Sequence, residues 1–413
     1  MFHNDFGHNR GMFNSQPLLI EAGAVMDAAG VLARPGAVAI SAEGLVVFAG
    51  APAQVPAAFL ADSVEKLRLP DRLVVPGFVN AHCHLELTGI GPQHYGGDFI
   101  DWVEMVMKQK ATSDAAWWAS YEAGLVQSLR AGTVAAGDIV THEKVKEALQ
   151  ARFKGELWGM AFAEQFGLDA VCRIPDGYEL FSEKRIGIQP HAPYSAGPSL
   201  FETACQSGFP LSTHLAETTA ELEFVAHGTG PFRTLLEKLG KWKPKMANEY
   251  ATGLTPVQWM RPYLAATKWL LAHVNYASDA DLVILARTGA SVAYCPVASD
   301  YFGHKNHRYR DMMAYGINVC LGTDSIVCQP ADEAQPLGIL PQMRHLFLRD
   351  GTDPQLLLKM ATTSGAKALG LAEDFCTFRV GAEARPLALV FDPADPADAL
   401  AQVLRRTEPV EPL

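Results

Sequence analysis

The stretch Leu73-Val74-Val75-Pro76-Gly77-Phe78-Val79-Asn80-Ala81-His82-Cys83-His84 decides the fold. An apolar run of strand length, Leu73–Val79, leads into two histidines separated by one residue. Side chains alternate along a strand, so residues two apart point the same way. His82 and His84 can therefore grip one ion together, while Cys83 faces the packing. A lone pair of this kind is a weak signal. Its place at the end of an apolar run strengthens it, because barrel active sites sit at the C-terminal ends of strands.

Working outward, similar runs recur at Thr133–Val140, Leu157–Phe162, Arg185–Gln189, Pro210–Thr213, Trp269–Val274, Ala290–Cys295 and Ile317–Leu321. They are continuous rather than alternating, as buried parallel strands are. Helical patterns fall between them at Glu104–Lys110, Tyr121–Arg130, Glu221–Leu239 and Ala277–Arg287. Eight runs alternating with helices have the scale of a (β/α)8 barrel in the α/β class. A doubly wound open sheet competes, and counting alone leaves it open. Before the first run, Pro17–Val75 reads as short strands, among them Ala37–Ile40 and Leu45–Ala49, with turns at Gly30 and Gly50. After the last, Pro354–Leu371 reads as helical and Leu387–Phe391 as a strand that can rejoin the N-terminal unit. The two chain ends then build one small β domain beside the barrel.

Polar residues follow several of the runs. They are His191 in Gln189-Pro190-His191, His214 and Glu217 in His214-Leu215-Ala216-Glu217, His273 after Trp269–Ala272, and Asp324 in Gly322-Thr323-Asp324-Ser325. Each has an ordinary reading on its own. A histidine is most often a hydrogen-bonded core or surface group, and Asp324 suits a turn or helix N-cap. Five strand ends carrying such groups together exceed what packing requires. Imidazole nitrogens and carboxylate oxygens suit a divalent metal such as zinc, with a position left open for water. His3 and His8 fall in an N-terminal tail, and His94, His142, His227, His304, His307 and His345 read as surface or supporting groups. His304 and His307 are within loop reach of a substrate. Glu86, just past the paired histidines, divides evenly between a pocket role and a structural one.

Composition narrows the function classes. Lys and Arg number 34 against 45 Asp and Glu, a formal net charge of −11 in 413 residues. That disfavours a nucleic-acid binder, which needs clustered cations. With 49% hydrophobic and 19% charged residues the chain is a folding sequence, not a disordered one. The seven cysteines are scattered and form no C-x-x-C pair, which fits a reducing compartment. No apolar run is long enough for a bilayer and no signal peptide is evident, so the expected location is cytoplasmic.

The stretches VVPGFVNAHCHLELTG, QPHAPYS, STHLAET, LLAHVNYAS, VAYCP, GINVCLGTDS and LLLKMATTSGAKALGL together resemble the amidohydrolase superfamily, in its cytosine deaminase and chlorohydrolase-like branch. The resemblance runs in family order from about residue 17 to 392. It implies a distorted TIM (β/α)8 barrel of residues 76–371, with a small β-sandwich domain made of 17–75 and 372–413 and a tail at 1–16. It implies one divalent metal, zinc or alternatively Fe2+, held by His82, His84, His214 and Asp324. No lysine replaces His191, which favours a single metal over a bridged pair. Glu217 matches the proton shuttle, His273 a further active-site histidine, and His191 a substrate-contacting position; Glu86 is the second candidate substrate contact.

Two departures stand out. The usual aspartate before the last strand is missing from Gly381-Ala382-Glu383-Ala384-Arg385-Pro386, which touches the small domain only. The loop after Cys295-Pro296 reads VASDYFGHKNHRYR in place of a serine-asparagine form, so substrate identity does not transfer from relatives.

The expected activity is hydrolytic deamination of an aminated purine or pyrimidine, free or as a nucleoside, by a water activated on the metal. Asp324 accepts the water proton, His273 polarises the attacking oxygen, and Glu217 protonates the ring nitrogen and then the departing ammonia. Aminofutalosine and methylthioadenosine/adenosylhomocysteine-type deaminases are the nearest named activities. Triazine dechlorination or deamination and cyclic-amide opening use similar apparatus, and a catalytically silent metabolite binder is a remote alternative. The expected partners are a small heterocyclic substrate and, as in the family, a second copy of the chain; nucleic acid and membrane are not expected.

Overall fold

A computed structural model describes residues 16–154, 157–175, 185–332 and 334–413. The expected tail, with His3 and His8, therefore lies outside the described residues except for Gln16. The strands, in chain order, are β1 (Leu18–Asp27), β2 (Gly30–Ala33), β3 (Gly36–Ile40), β4 (Val46–Gly50), β5 (Glu65–Pro76), β6 (Phe78–Cys83), β7 (Thr133–Thr141) and β8 (Trp158–Gln165). They continue with β9 (Ile186–Pro190), β10 (Leu211–Leu215), β11 (Trp269–His273), β12 (Ser291–Tyr294), β13 (Asn318–Leu321), β14 (Pro386–Val390) and β15 (Glu411–Pro412).

The two chain ends share one sheet, in the order β15-β14-β5-β1-β3-β4, with β2 paired to β1. C-terminal β14 runs antiparallel to β5, with Leu387 opposite Val75. Alternation along β1 and β3 sends side chains to both faces. Ile20, Val38 and Ile40 join one apolar cluster, and Leu19, Ala37 and Ala39 join another with Phe59. A sheet covered on both faces is what makes the small domain sandwich-like.

The Leu73–Val79 run is not one strand. Leu73–Pro76 ends β5 in the small sheet, and β6 of the barrel begins at Phe78. Gly77 sits at the crossing, donating to the Arg385 carbonyl at 2.7 Å. A side chain there would meet Val134 Cγ1 at 2.4 Å, so the close approach of backbone to β7 needs glycine.

Strands β6 to β13 follow one another in chain order around an eight-stranded sheet. Each adjacent pair is parallel. The ends meet at a parallel bridge between Cys83 and Asp324. Sequential order with closure is a distorted (β/α)8 barrel and sets aside the doubly wound sheet. Leu271, Val292 and Val319 are almost fully buried under the surrounding helices. Each such side chain contributes about 1.5–3 kcal/mol by leaving water.

The helical pattern at 221–239 forms two helices, Thr219–His227 and Pro231–Lys238. Gly228, in the left-handed region at φ 66°, ends the first, and Pro231 opens the second. The pattern at 354–371 likewise divides at Thr362 into Pro354–Ala361 and Thr363–Ala368. Among the described residues no helix is long and apolar enough to cross a membrane.

Candidate metal centre and active site

His82 lies on β6 and His84 follows its last residue. His214 is on β10, and Asp324 lies three residues past the end of β13. The barrel brings these distant positions to one end. His84 Nε2 lies 3.3 Å from His214 Nε2. Asp324 Oδ1 lies 3.5 Å from His84 Nε2 and 4.0 Å from His82 Nε2. His82, His214 and His273 also have ring nitrogens within 4.8 Å of one another.

The donor set suits a divalent metal. Two atoms bound about 2.0–2.1 Å from a tetrahedral ion lie roughly 3.3 Å apart. Both ring nitrogens of His82 are buried without a hydrogen-bond partner, a costly state unless something else takes a lone pair. The Nδ1–H of His214 donates to the His191 carbonyl at 3.1 Å, which fixes the tautomer and leaves Nε2 to bind. Burial, and then the neighbouring histidines, hold His82 and His84 well below the usual imidazole range; burial does the same for His214, to about 4. Neutral imidazoles are the form that binds metal.

Strained backbone gathers at these strand ends. Ala216, His273, Val274 and Asp324 have φ of 49°, 69°, 54° and 58°, a region that non-glycine residues avoid. Each turn is held. Val274 N–H donates to the Leu215 carbonyl at 3.0 Å and Tyr276 N–H to the Ala216 carbonyl at 3.1 Å. The His273 carbonyl accepts from His307 Nε2–H at 2.8 Å, and the His307 ring stacks on Tyr294 at 3.7 Å.

Glu217 and His273 form a second unit beside the first. Glu217 Oε1 lies 3.5 Å from His273 Nε2, and both are grouped with Asp324 within 4.8 Å. The Glu221 carboxylate receives the Ala216 and Glu217 amides at 2.9 Å each, which fixes the backbone carrying Glu217. Asn275 Nδ2 donates to the Glu217 carbonyl at 3.0 Å. Burial, and then the Asp324 and Glu221 carboxylates, push Glu217 well above the usual carboxylate range.

His191 points its Nδ1 at Ser195 Oγ, 2.6 Å away, and its Nε2 lies 3.9 Å from Glu164 Oε1. Glu86 is set in the protein itself. Its oxygens receive Trp117 Nε1–H at 2.8 Å, Thr141 N–H at 2.9 Å, Thr141 Oγ1–H at 2.7 Å and the Lys110 ammonium at 2.6 Å. These contacts tie the loop after His84 to β7. His304 receives or gives a hydrogen bond with Tyr276 OH at 3.0 Å.

Several supporting residues carried no sequence signal. Asn80, two residues before His82, bonds both the amide and the hydroxyl of Thr323, at 3.1 and 2.9 Å. Cys328 Sγ–H donates to Asp324 Oδ2 at 3.2 Å. Asp138 takes the Leu85 amide at 3.1 Å and Tyr121 OH at 2.7 Å, fixing the chain just beyond His84. Glu164 was hidden because the apolar run Leu157–Phe162 ends before the strand does, at Gln165.

A family model described as "Amidohydrolase family" matches residues 73–410. The chain belongs to the amidohydrolase family. It is 29% identical over 369 residues to a 5-methylthioadenosine/S-adenosylhomocysteine deaminase of Desulforudis audaxviator, covering 83% of this chain and 78% of that one. It is 28% identical over 334 residues to an aminodeoxyfutalosine deaminase of Deinococcus radiodurans, covering 72% and 73%. A solved adenosine deaminase from Xanthomonas campestris with bound zinc shares this amidohydrolase's fold, at a TM-score of 0.72 and 20% identity over 96% of this chain and 92% of that one.

Proposed function

We propose that this amidohydrolase is a hydrolytic deaminase of an aminated purine- or pyrimidine-type heterocycle, free or within a nucleoside, with zinc held by His82, His84, His214 and Asp324. The observation that carries the reading is the buried Glu217 carboxyl, 3.5 Å from His273 and grouped with Asp324. The names of the two relatives, both deaminases, and the bound zinc of the adenosine deaminase support it. Unpaired cysteines at all seven positions support a cytoplasmic location.

When bound, the metal supplies Lewis-acid activation of water near neutral pH. The remaining work falls to side chains. Glu217 is kept protonated by burial and by its acidic neighbours, so it can deliver a proton to a ring nitrogen as the ring carbon is attacked. Asp324 accepts one proton of the attacking water, the Glu217 carboxylate carries it to the amino group, which leaves as ammonia, and the last proton of the added oxygen returns Glu217 to its acid form as the carbonyl forms. His273, held neutral by burial and the histidines around it, orients Glu217 through its Nε2 edge. Asp324 balances the positive charge of the site, and its Oδ2 is steadied by Cys328.

The test is ammonia release by zinc-loaded protein across aminopurines, aminopyrimidines, their nucleosides and aminotriazines. Release from the purine or pyrimidine group supports the reading. Release from triazines alone, or from none with zinc bound, overturns it.

A further inference from the structure

Glu164 stands at the end of β8, in register with Gln189 on β9. Its side chain is 7% exposed, and its Oε1 has no hydrogen-bond partner. The nearest ring nitrogen, His191 Nε2, is 3.9 Å away, too far for a hydrogen bond. Ligand-type atoms of Glu164, His191 and His214 all lie within 4.8 Å of one another, so the carboxylate adjoins the residues proposed to hold the metal. It is not grouped with Glu217, His273 and Asp324, which form the reacting side.

The Gln189 side chain lies alongside and the Lys110 ammonium acts on the group, but neither makes a hydrogen bond of ordinary geometry to Oε1, and a buried carboxylate oxygen left in that state is rare and costly. The cost is recovered when a bound molecule brings a donor to it. Phe166, just beyond the end of β8, stacks on the His191 ring at 4.6 Å and is 56% exposed. An acceptor beside an open aromatic face matches a flat ring or sugar carrying an O–H or N–H.

Resting on the deaminase reading above, we propose that Glu164 is a specificity-determining residue that anchors the substrate by accepting a hydrogen bond from a donor group remote from the amine that leaves. Two sources share that chemistry, a ring N–H of the base and a hydroxyl of an attached sugar.

The experiment compares wild type, Glu164→Gln and Glu164→Asp as zinc-loaded proteins. Zinc content, calorimetric binding and ammonia release are measured with adenine, adenosine, 2′-deoxyadenosine and 3′-deoxyadenosine. The expected result for Glu164→Gln is a rise of about tenfold to a hundredfold in KM and Kd, with zinc content unchanged and kcat within about threefold. Glu164→Asp, which keeps the charge but draws it back, falls between the two. A penalty seen with adenine and not with adenosine places the donor on the ring N–H of the free base, which adenosine lacks. A penalty that disappears with one deoxy analogue places it on that hydroxyl. Turnover by wild type with KM unchanged in Glu164→Gln overturns the anchor and leaves the deaminase reading standing. Loss of zinc in that variant also overturns it, since Glu164 then serves the metal. Binding without turnover, weakened in the variant, keeps the anchor and removes the deaminase reading. No binding of any probe to wild type overturns both.

Discussion

The amide of Asp324 donates to the carbonyl of His82 at 3.0 Å, as does the amide of Thr323, so the barrel is closed by hydrogen bonds at two of the residues proposed to hold the metal. Closure of the sheet and convergence of the proposed ligands are one event. A change that loosens the seam should therefore be read in metal affinity before it is read in folding.

Gly322 gives that test. A Cβ there would meet Cys295 Sγ, His82 Cβ and the His82 carbonyl oxygen, each at 2.9 Å. Gly322→Ala is expected to push His82 away from Asp324 and weaken zinc binding about 10–100-fold, the usual cost of disturbing support around a metal. Competition with a chromophoric chelator measures it. Wild-type affinity in a folded variant contradicts the coupling.

Glu217→Gln keeps the shape of the side chain and removes its proton. The expected kcat is about 10²–10⁴-fold lower, with zinc content unchanged. Turnover near wild type assigns the proton transfer to another group.

His307→Phe preserves the ring against Tyr294 but deletes the bond to the His273 carbonyl. One such hydrogen bond is worth about 1 kcal/mol, or roughly fivefold in kcat if His273 must be held in its strained turn. Steady-state kinetics on the loaded enzyme measures it. An unchanged kcat shows that the turn holds without His307.

Asp138 gives a pH signature. Burial pushes it up to about 6, against the pull of Arg152, Tyr121 and the Leu85 amide. In the unfolded chain the group titrates at about 3.9. The native state then binds more protons between these values, so this group's contribution to stability falls as pH rises through the window. An asparagine side chain in its place does not titrate. The Tm advantage of wild type over Asp138→Asn should shrink from about pH 4 to about pH 7, and thermal melts of the holoprotein across that range check it. A widening advantage reverses the sign.

The barrel was legible because its strands are buried on both faces and read as apolar runs. The convergence of the proposed ligand positions was legible because each follows such a run. Strand limits were less so. Leu73–Val79 looked continuous, yet backbone contacts at Gly77 hand one half to the small sheet and the other to the barrel. Glu164 was missed because β8 continues past its apolar stretch. His307 and Asn80 act through backbone carbonyls and amides across the barrel, and no pattern along the chain records such partners.

The most direct measurement is a zinc titration of chelator-treated protein, read as ammonia release from adenosine, 5-methylthioadenosine and guanine. The account predicts no release without metal and a rise to a plateau at one equivalent of zinc. Release that survives chelation, a plateau at two equivalents, or silence at every zinc level with all three substrates contradicts it.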